Sequence, residues 1–288
     1  MTPLLQSKKP SAQFLWLCFF LLMGFVLYFA LTLSLSVAGV DLKENATAVS
    51  VMLVLSQLLL FLLPALLMAS LVWGSFPQSL CLHFSPSHWA KAGMAVLVLL
   101  LLLPAIDGLS SWNNAWHLPQ SLQGLEVSLR EQQAESEGFL LRYLEKSGVG
   151  NLLANLFVIA LVPAVCEELF FRCTLQQLLQ RWFKSPHVAI LLAAAVFSLA
   201  HGEPFSFMPR FVMGILLGYA FHYSQSLLVN TTVHFLNNAT IVLFYYLHSN
   251  GIVAINPSEP FGFSLFFIIA CLLGAVLLFY DAFLRPRA

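Results

Sequence analysis

Apolar residues run in eight long blocks along the chain, separated by polar connections. The blocks are Phe14 to Leu35, Val49 to Trp73, Trp89 to Ile106, Leu152 to Phe170, Val188 to Ala200, Phe207 to Tyr223, Leu227 to Leu247 and Phe261 to Tyr280. Most have the roughly 17–25 residues that carry a helix across the hydrocarbon core of a bilayer. Backbone amides in lipid need partners within their own segment, so each block predicts a helix. The fifth block is short and predicts either a tilted or partly re-entrant helix or, the favoured reading, a fourth helix that continues through Leu175, Leu178 and Leu179 to near Arg181 and so sets Glu167 deeper. The first block follows Lys8 and Lys9, as in a signal peptide, and the small residues near Ala38 make a weak cleavage site. At about 22 residues it is too long for a signal-peptide core, and predicts an uncleaved span. The expected fold class is an all-α, polytopic transmembrane bundle of about eight helices.

The basic residues orient that bundle. An even number of spans puts both termini on one side. Lys8 and Lys9, Arg285 and Arg287, and the Arg172, Arg181 and Lys184 group between spans four and five all fall there. By the positive-inside rule that side is the cytoplasm. The opposite side receives Asp41, Glu44, Glu126, Glu131, Glu135, Glu137, Glu145, Glu203 and Glu259. The expected location is the inner (plasma) membrane of the cell, with both termini cytoplasmic. The longest polar stretch runs from Ser110 to Gly150. Within it, Leu122 to Lys146 interleaves apolar and charged residues as an amphipathic helix lying at the interface. A substrate-gating role is the sharper alternative. No repeat or low-complexity linker divides the chain, so residues 1–288 are expected to form a single membrane domain.

Composition agrees. The chain is 59% apolar and 9% charged, against about 25% charged in soluble domains. Net charge is zero, which gives no basis for a nucleic-acid partner; the bilayer is the partner the pattern demands. Cys18, Cys81, Cys166, Cys173 and Cys271 are scattered. They form neither a disulfide framework nor a metal knuckle, and read as small packing residues.

Against that apolar background a few polar residues stand out. Span four carries Glu167 and Glu168 after Pro163, then Arg172. A charge at the bilayer centre costs roughly 2.5–3.5 kcal/mol on insertion scales, so two carboxylates there need a reason. Glu168 and Arg172 are four apart and share a helix face. Glu167, about 100° round the helix, is left for another element. Taken alone, this is equally an ion pair at a helix end. Span five ends at His201, four after Phe197, and span seven carries His234 and Asn238, also four apart. Alone, these are a capping histidine and an interhelical hydrogen-bonding pair. Together they supply hydrolytic chemistry. A carboxylate or imidazole takes a proton from water, and an imidazole and a carboxamide donate to an oxyanion. Glu167, His201 and His234 are also possible ligands for a divalent metal such as zinc, although the HExxH spacing is absent.

The order EExxxR, FxxxH, HxxxN on successive helices resembles the CPBP family. Its members are CAAX proteases and bacteriocin-processing enzymes, also called the Abi or type II CAAX prenyl endopeptidase family. The motifs span residues 152–247, expected to be the catalytic core. The resemblance implies an intramembrane endopeptidase acting on membrane-associated peptide or protein substrates. Glu167 with His201 would activate water, His234 and Asn238 would stabilise the oxyanion, and Glu168 with Arg172 would brace the site. Cys173 stands where the family commonly has glycine; a thiol-nucleophile role is the weaker reading beside packing. Gly214 and Gly218, four apart in span six, predict close helix packing. His222 and His248 read as interfacial, and His83, His88, His117 and His187 follow no pattern. Two other classes share the composition: a non-catalytic scaffold or bacteriocin-immunity protein that binds a partner through the same cluster, and a transporter. The sequence specifies neither the oligomeric state nor whether a substrate is prenylated.

Overall fold

A computed structural model describes residues 4–42, 45–73, 81, 86–144, 148–256 and 259–284. Glu44, His83, Glu145, Lys146, Arg285 and Arg287 lie outside the described residues. The described chain is helical, with α1 (Pro10–Val37), α2 (Ala46–Val72), α3 (Pro86–Asn114) and α4 (Gln123–Leu144) followed by α5 (Val149–Phe183). Then come α6 (Pro186–Leu199), α7 (Phe207–Ser224), α8 (Leu227–Ser249) and α9 (Leu265–Leu284). Seven of these are long and apolar enough to cross a membrane, and α6 is a shorter apolar helix. The protein is therefore an integral membrane protein, a polytopic helical bundle.

Burial follows the logic of lipid. Large apolar side chains such as Phe19, Phe25, Phe29, Leu273 and Leu277 point outward, while Glu168, Arg172 and Asn230 are wholly enclosed. Small residues set the helix spacing where the bundle is tightest. On α6, Ala189, Ala193 and Ala194 are buried at helical spacing, and they face Gly214 and Gly218 of α7. A Cβ added at Gly214 would lie 2.9 Å from the Ala194 Cβ, and one at Gly218 2.7 Å from Ile190 Cγ2. The two glycines thus pack helices closely, as their spacing predicted.

Three helix boundaries differ from the apolar runs. The third helix continues past Ile106 to Asn114, and within that extension the Asp107 carboxylate accepts the backbone N–H groups of Phe261 and Gly262. That interaction holds Phe261 in the loop, so α9 begins only at Leu265, capped by Ser264 accepting from Phe267 N. The fourth span does not stop at Phe170 but runs to Phe183. Lys184, in the left-handed conformation at φ 55°, then turns the chain, and the Ser185 side chain caps α6.

This hairpin decides where the polar residues sit. Glu168 lies 16 residues before Lys184 and His201 lies 16 after Ser185. Both are therefore at about the same height, roughly 24 Å from the turn at 1.5 Å per residue. A short α6 delivers His201 to the level of the glutamates rather than to the far face.

The amphipathic segment is a helix, but its polarity near the start is the reverse of a surface helix. Leu125 and Val127 are half-exposed, while Glu126 and Gln133 are buried. The helix packs through polar groups onto the loops of one bundle end. Glu126 accepts from Leu118 N at 2.7 Å and Arg130 Nε at 2.8 Å, with His117 Nδ1 2.8 Å away. Arg130 also donates to the Trp116 carbonyl at 2.6 Å, and Gln133 donates to Ser206 Oγ at 3.2 Å. Its far end is tied to α2 by the Tyr143 hydroxyl and Ser50 Oγ at 2.6 Å.

Candidate active site

The site is built on the middle of α5. Pro163 lacks an amide hydrogen and would clash with the carbonyl four residues back. The helix meets this by widening into a π turn over Leu156–Leu161 before the proline, and a second wide turn, Phe171–Gln176, follows the glutamates. Such turns recur at functional sites because they redirect side chains from the regular register.

Glu168 is anchored on every side. Arg172 Nε donates to its Oε2 at 3.0 Å, Asn230 Nδ2 to the same oxygen at 3.0 Å, and His234 Nδ1 lies 2.9 Å from Oε1. Asn230 also donates to the Leu217 carbonyl at 2.6 Å, which ties α8 to α7. Glu167 has different surroundings. His234 Nε2 is 3.8 Å from its Oε2, and the Gln57 carboxamide of α2 faces it. The two neighbours in sequence thus differ: Glu168 has three polar partners within 3.0 Å, whereas Glu167 has an imidazole nitrogen at 3.8 Å and the facing carboxamide.

His234 stands between them. Ionised Glu168 only accepts, so His234 Nδ1 donates and Nε2 turns towards Glu167. His201 Nδ1 is 2.8 Å from the Phe197 carbonyl; the carbonyl accepts, which leaves Nε2 of neutral His201 as a proton acceptor. The two imidazoles meet over one ring: Phe197 lies 5.0 Å from His201 and 5.9 Å from His234 between centroids. The Arg172 guanidinium sits 5.6 Å from the same ring, within cation–π range. Asn238 lies one turn beyond His234. Its Oδ1 accepts from Asn237 Nδ2 at 3.2 Å, which leaves its own N–H groups for another acceptor.

Glu168 thus holds Arg172 and His234, and His234 reaches on to Glu167, with His201 joined through Phe197 and Asn238 one turn away. Asn230, Phe197 and Gln57 belong to the cluster without having been singled out from sequence. Asn230 had a visible signal, since it precedes His234 by the same four residues that separate His234 from Asn238. Cys173 is buried among apolar residues.

A divalent metal is a poor fit. Among the described residues no group of three or more His, Cys, Asp or Glu side chains is placed to hold one. The chemistry below is therefore derived from protein groups alone.

Fold and site define a polytopic membrane protein with a buried glutamate–histidine centre. Residues 149–240 match the family described as type II CAAX prenyl endopeptidase Rce1-like, and the chain carries a domain of that family. The buried cluster is consistent with the catalytic residues of that family. No curated protein and no solved structure matches the chain.

Proposed function

We propose that the protein is an intramembrane endopeptidase in which Glu167 takes a proton from water that attacks a peptide carbonyl. The observation that carries this reading is the contrast between the two glutamates. Glu168 is held by Arg172, Asn230 and His234, and braces the site. Glu167, also buried, has neither Arg172 nor Asn230 on it and meets His234 only at 3.8 Å, which leaves it able to exchange a proton. His201 offers Nε2 as a second acceptor for the water. His234, oriented by Glu168 as a triad histidine is by its carboxylate, presents Nε2 to the reacting atoms. Nε2 donates to an oxyanion when the ring is protonated, and that proton also balances the charges: two carboxylates against Arg172 and His234. Asn238 supplies a further N–H donor. The substrate class is a membrane-associated peptide or protein, reached from within or beside the bilayer.

The test uses purified full-length protein and an internally quenched amphipathic peptide, with and without an S-farnesyl group. Glu167→Gln and His201→Ala are expected to lower kcat at least 100-fold, the scale of positioned acid–base catalysis, with the thermal midpoint little changed. Full activity in Glu167→Gln sinks the mechanism. Cleavage is expected to persist with a strong chelator present; loss that zinc reverses would show that a metal does the work.

A further inference from the structure

A cavity beside the cluster has a polar group that the mechanism above does not use. It holds about 170 Å³ between α2, α4 and α5, and its walls include Leu53, Gln57, Phe139, Tyr143, Val158 and Pro163. Pro163 precedes Glu167 by one helical turn, so the cavity reaches from the end of α4 down towards that carboxylate. Its walls are apolar except at two points. The Tyr143 hydroxyl is engaged with Ser50. Gln57 is not so engaged at its oxygen: Oε1 is buried and has no hydrogen-bond partner among the described residues. A buried amide oxygen without a partner is unfavourable in any protein, and more so inside a bilayer, where every polar group needs one.

The backbone places Gln57 for a purpose of this kind. It is the last residue of the regular first part of α2, and the next five residues, Leu58–Leu62, form a wide turn ahead of Pro64. The arrangement mirrors the wide turn and proline that precede Glu167 on α5. Two widened helices therefore face each other, one presenting a carboxylate and the other a carboxamide.

We propose that Gln57 is a further catalytic residue, whose Oε1 accepts one hydrogen of the attacking water while Glu167 accepts the other. This rests on Glu167 as the base. With both hydrogens held, the lone pair of the water oxygen is directed at the substrate carbonyl, which is the orientation that lowers the entropic barrier. The step balances. One water proton passes to Glu167 as the oxygen bonds to the carbonyl carbon, and that proton reaches the departing amine as the C–N bond breaks. Gln57 neither gains nor loses a proton. An amide suits the role, because its oxygen accepts a hydrogen bond without carrying a charge. A third carboxylate here would add a negative charge that Arg172 and protonated His234, already matched to the two glutamates, do not balance.

The experiment compares Gln57→Leu and Gln57→Met with the native full-length protein on the quenched peptides, with Glu167→Gln and Leu53→Ala beside them. Both Gln57 substitutions remove the acceptor and retain the bulk, so the fold and thermal midpoint are expected to hold; if the leucine variant does not fold, the methionine variant carries the test. Losing one hydrogen bond to the reacting water is expected to lower kcat about 10- to 100-fold with KM within about twofold. Leu53→Ala, which alters only the wall, is expected to move KM and spare kcat. A folded Gln57 variant with native kcat, alongside an inactive Glu167→Gln, overturns the role of Gln57 and leaves the base intact. A change in KM alone overturns it too, making Gln57 a substrate contact. An active Glu167→Gln instead removes the base on which both readings stand.

Discussion

Glu167 and Glu168 differ by one position and about 100° of helix, and this is enough to give them the different surroundings on which the proposed division of work rests. The bonds around Glu168 are worth most as a set. Removing its charge leaves the Arg172 guanidinium wholly buried, with Nη1 and Nη2 already lacking hydrogen-bond partners among the described residues. Breaking a buried pair from one side typically costs about 3–5 kcal/mol. Glu168→Gln is therefore expected to lower the thermal midpoint of the detergent-solubilised protein sharply, whereas Glu167→Gln leaves it near the native value. Equal midpoints for the two variants would remove the division into brace and base. The pairing of Glu168 with Arg172 was legible from their spacing, as was the shared face of His234 and Asn238. The partners of Glu167 were not. Gln57 comes from a helix 110 positions earlier, and no local spacing relates two helices that meet only in the bundle. Phe197, which gathers His201, His234 and Arg172 round one ring, looked in sequence like any other apolar residue of its span.

At the scale of elements, apolar runs identify the helices but not their ends, because the ends are set by polar partners elsewhere. The carboxylate of Asp107 holds Phe261 and Gly262 in the loop before α9, and this does not show in hydropathy. The short α6 was visible as a short run. Its consequence, a histidine at the height of the glutamates, required α5 to continue through the charged stretch to Phe183. The apolar residues Leu175, Leu178 and Leu179 supply the reason it does: all three are buried there. The amphipathic helix α4 was legible as a helix and misleading in its facing, since its inward anchor is an ionic one. Arg130, then the Leu118 amide and His117, hold the Glu126 carboxyl down to about 2, against an ordinary value of 4.5. A carboxyl with a depressed value adds stability above its ordinary range and loses it as pH falls through the folded one. The docking of α4 is thus expected to stay constant from about pH 8 to 5, to weaken below about 4.5 and to be lost towards 2. Hydrogen exchange in residues 123–144 measures it. Glu126→Gln should show fast exchange already at neutral pH, and equal protection in that variant would show that the carboxylate does not hold the helix.

For the whole molecule, the arrangement of the two bundle ends decides which substrates the site can meet. One end carries Lys8, Lys9, Arg181 and Lys184; here Trp182 of α5 packs on Phe14 of α1, and Leu5 N bonds the Leu71 carbonyl. The other end carries α4 and the loop after α6, joined by Asn113 donating to the Pro204 carbonyl and Gln133 to Ser206. The cavity that Gln57 lines lies between α2, α4 and α5, and α4 supplies Phe139, Leu140 and Tyr143 to its wall. Basic residues near span ends are retained in the cytoplasm, so the first end is expected to be cytoplasmic and α4 to lie on the opposite face. Single cysteines placed at Gly138 and at Ser7 in a cysteine-free chain test this with a membrane-impermeant maleimide on intact cells. Gly138→Cys is expected to label at once and Ser7→Cys only after permeabilisation. The reverse pattern would invert the bundle, and with it the substrate. With α4 outside, the expected substrates are peptides and membrane segments presented from the exported side. With α4 inside, they are chains held at the cytoplasmic face, where a prenylated C-terminus is anchored. The orientation of the bundle thus bears on the substrate as directly as the proposed role of Glu167 does.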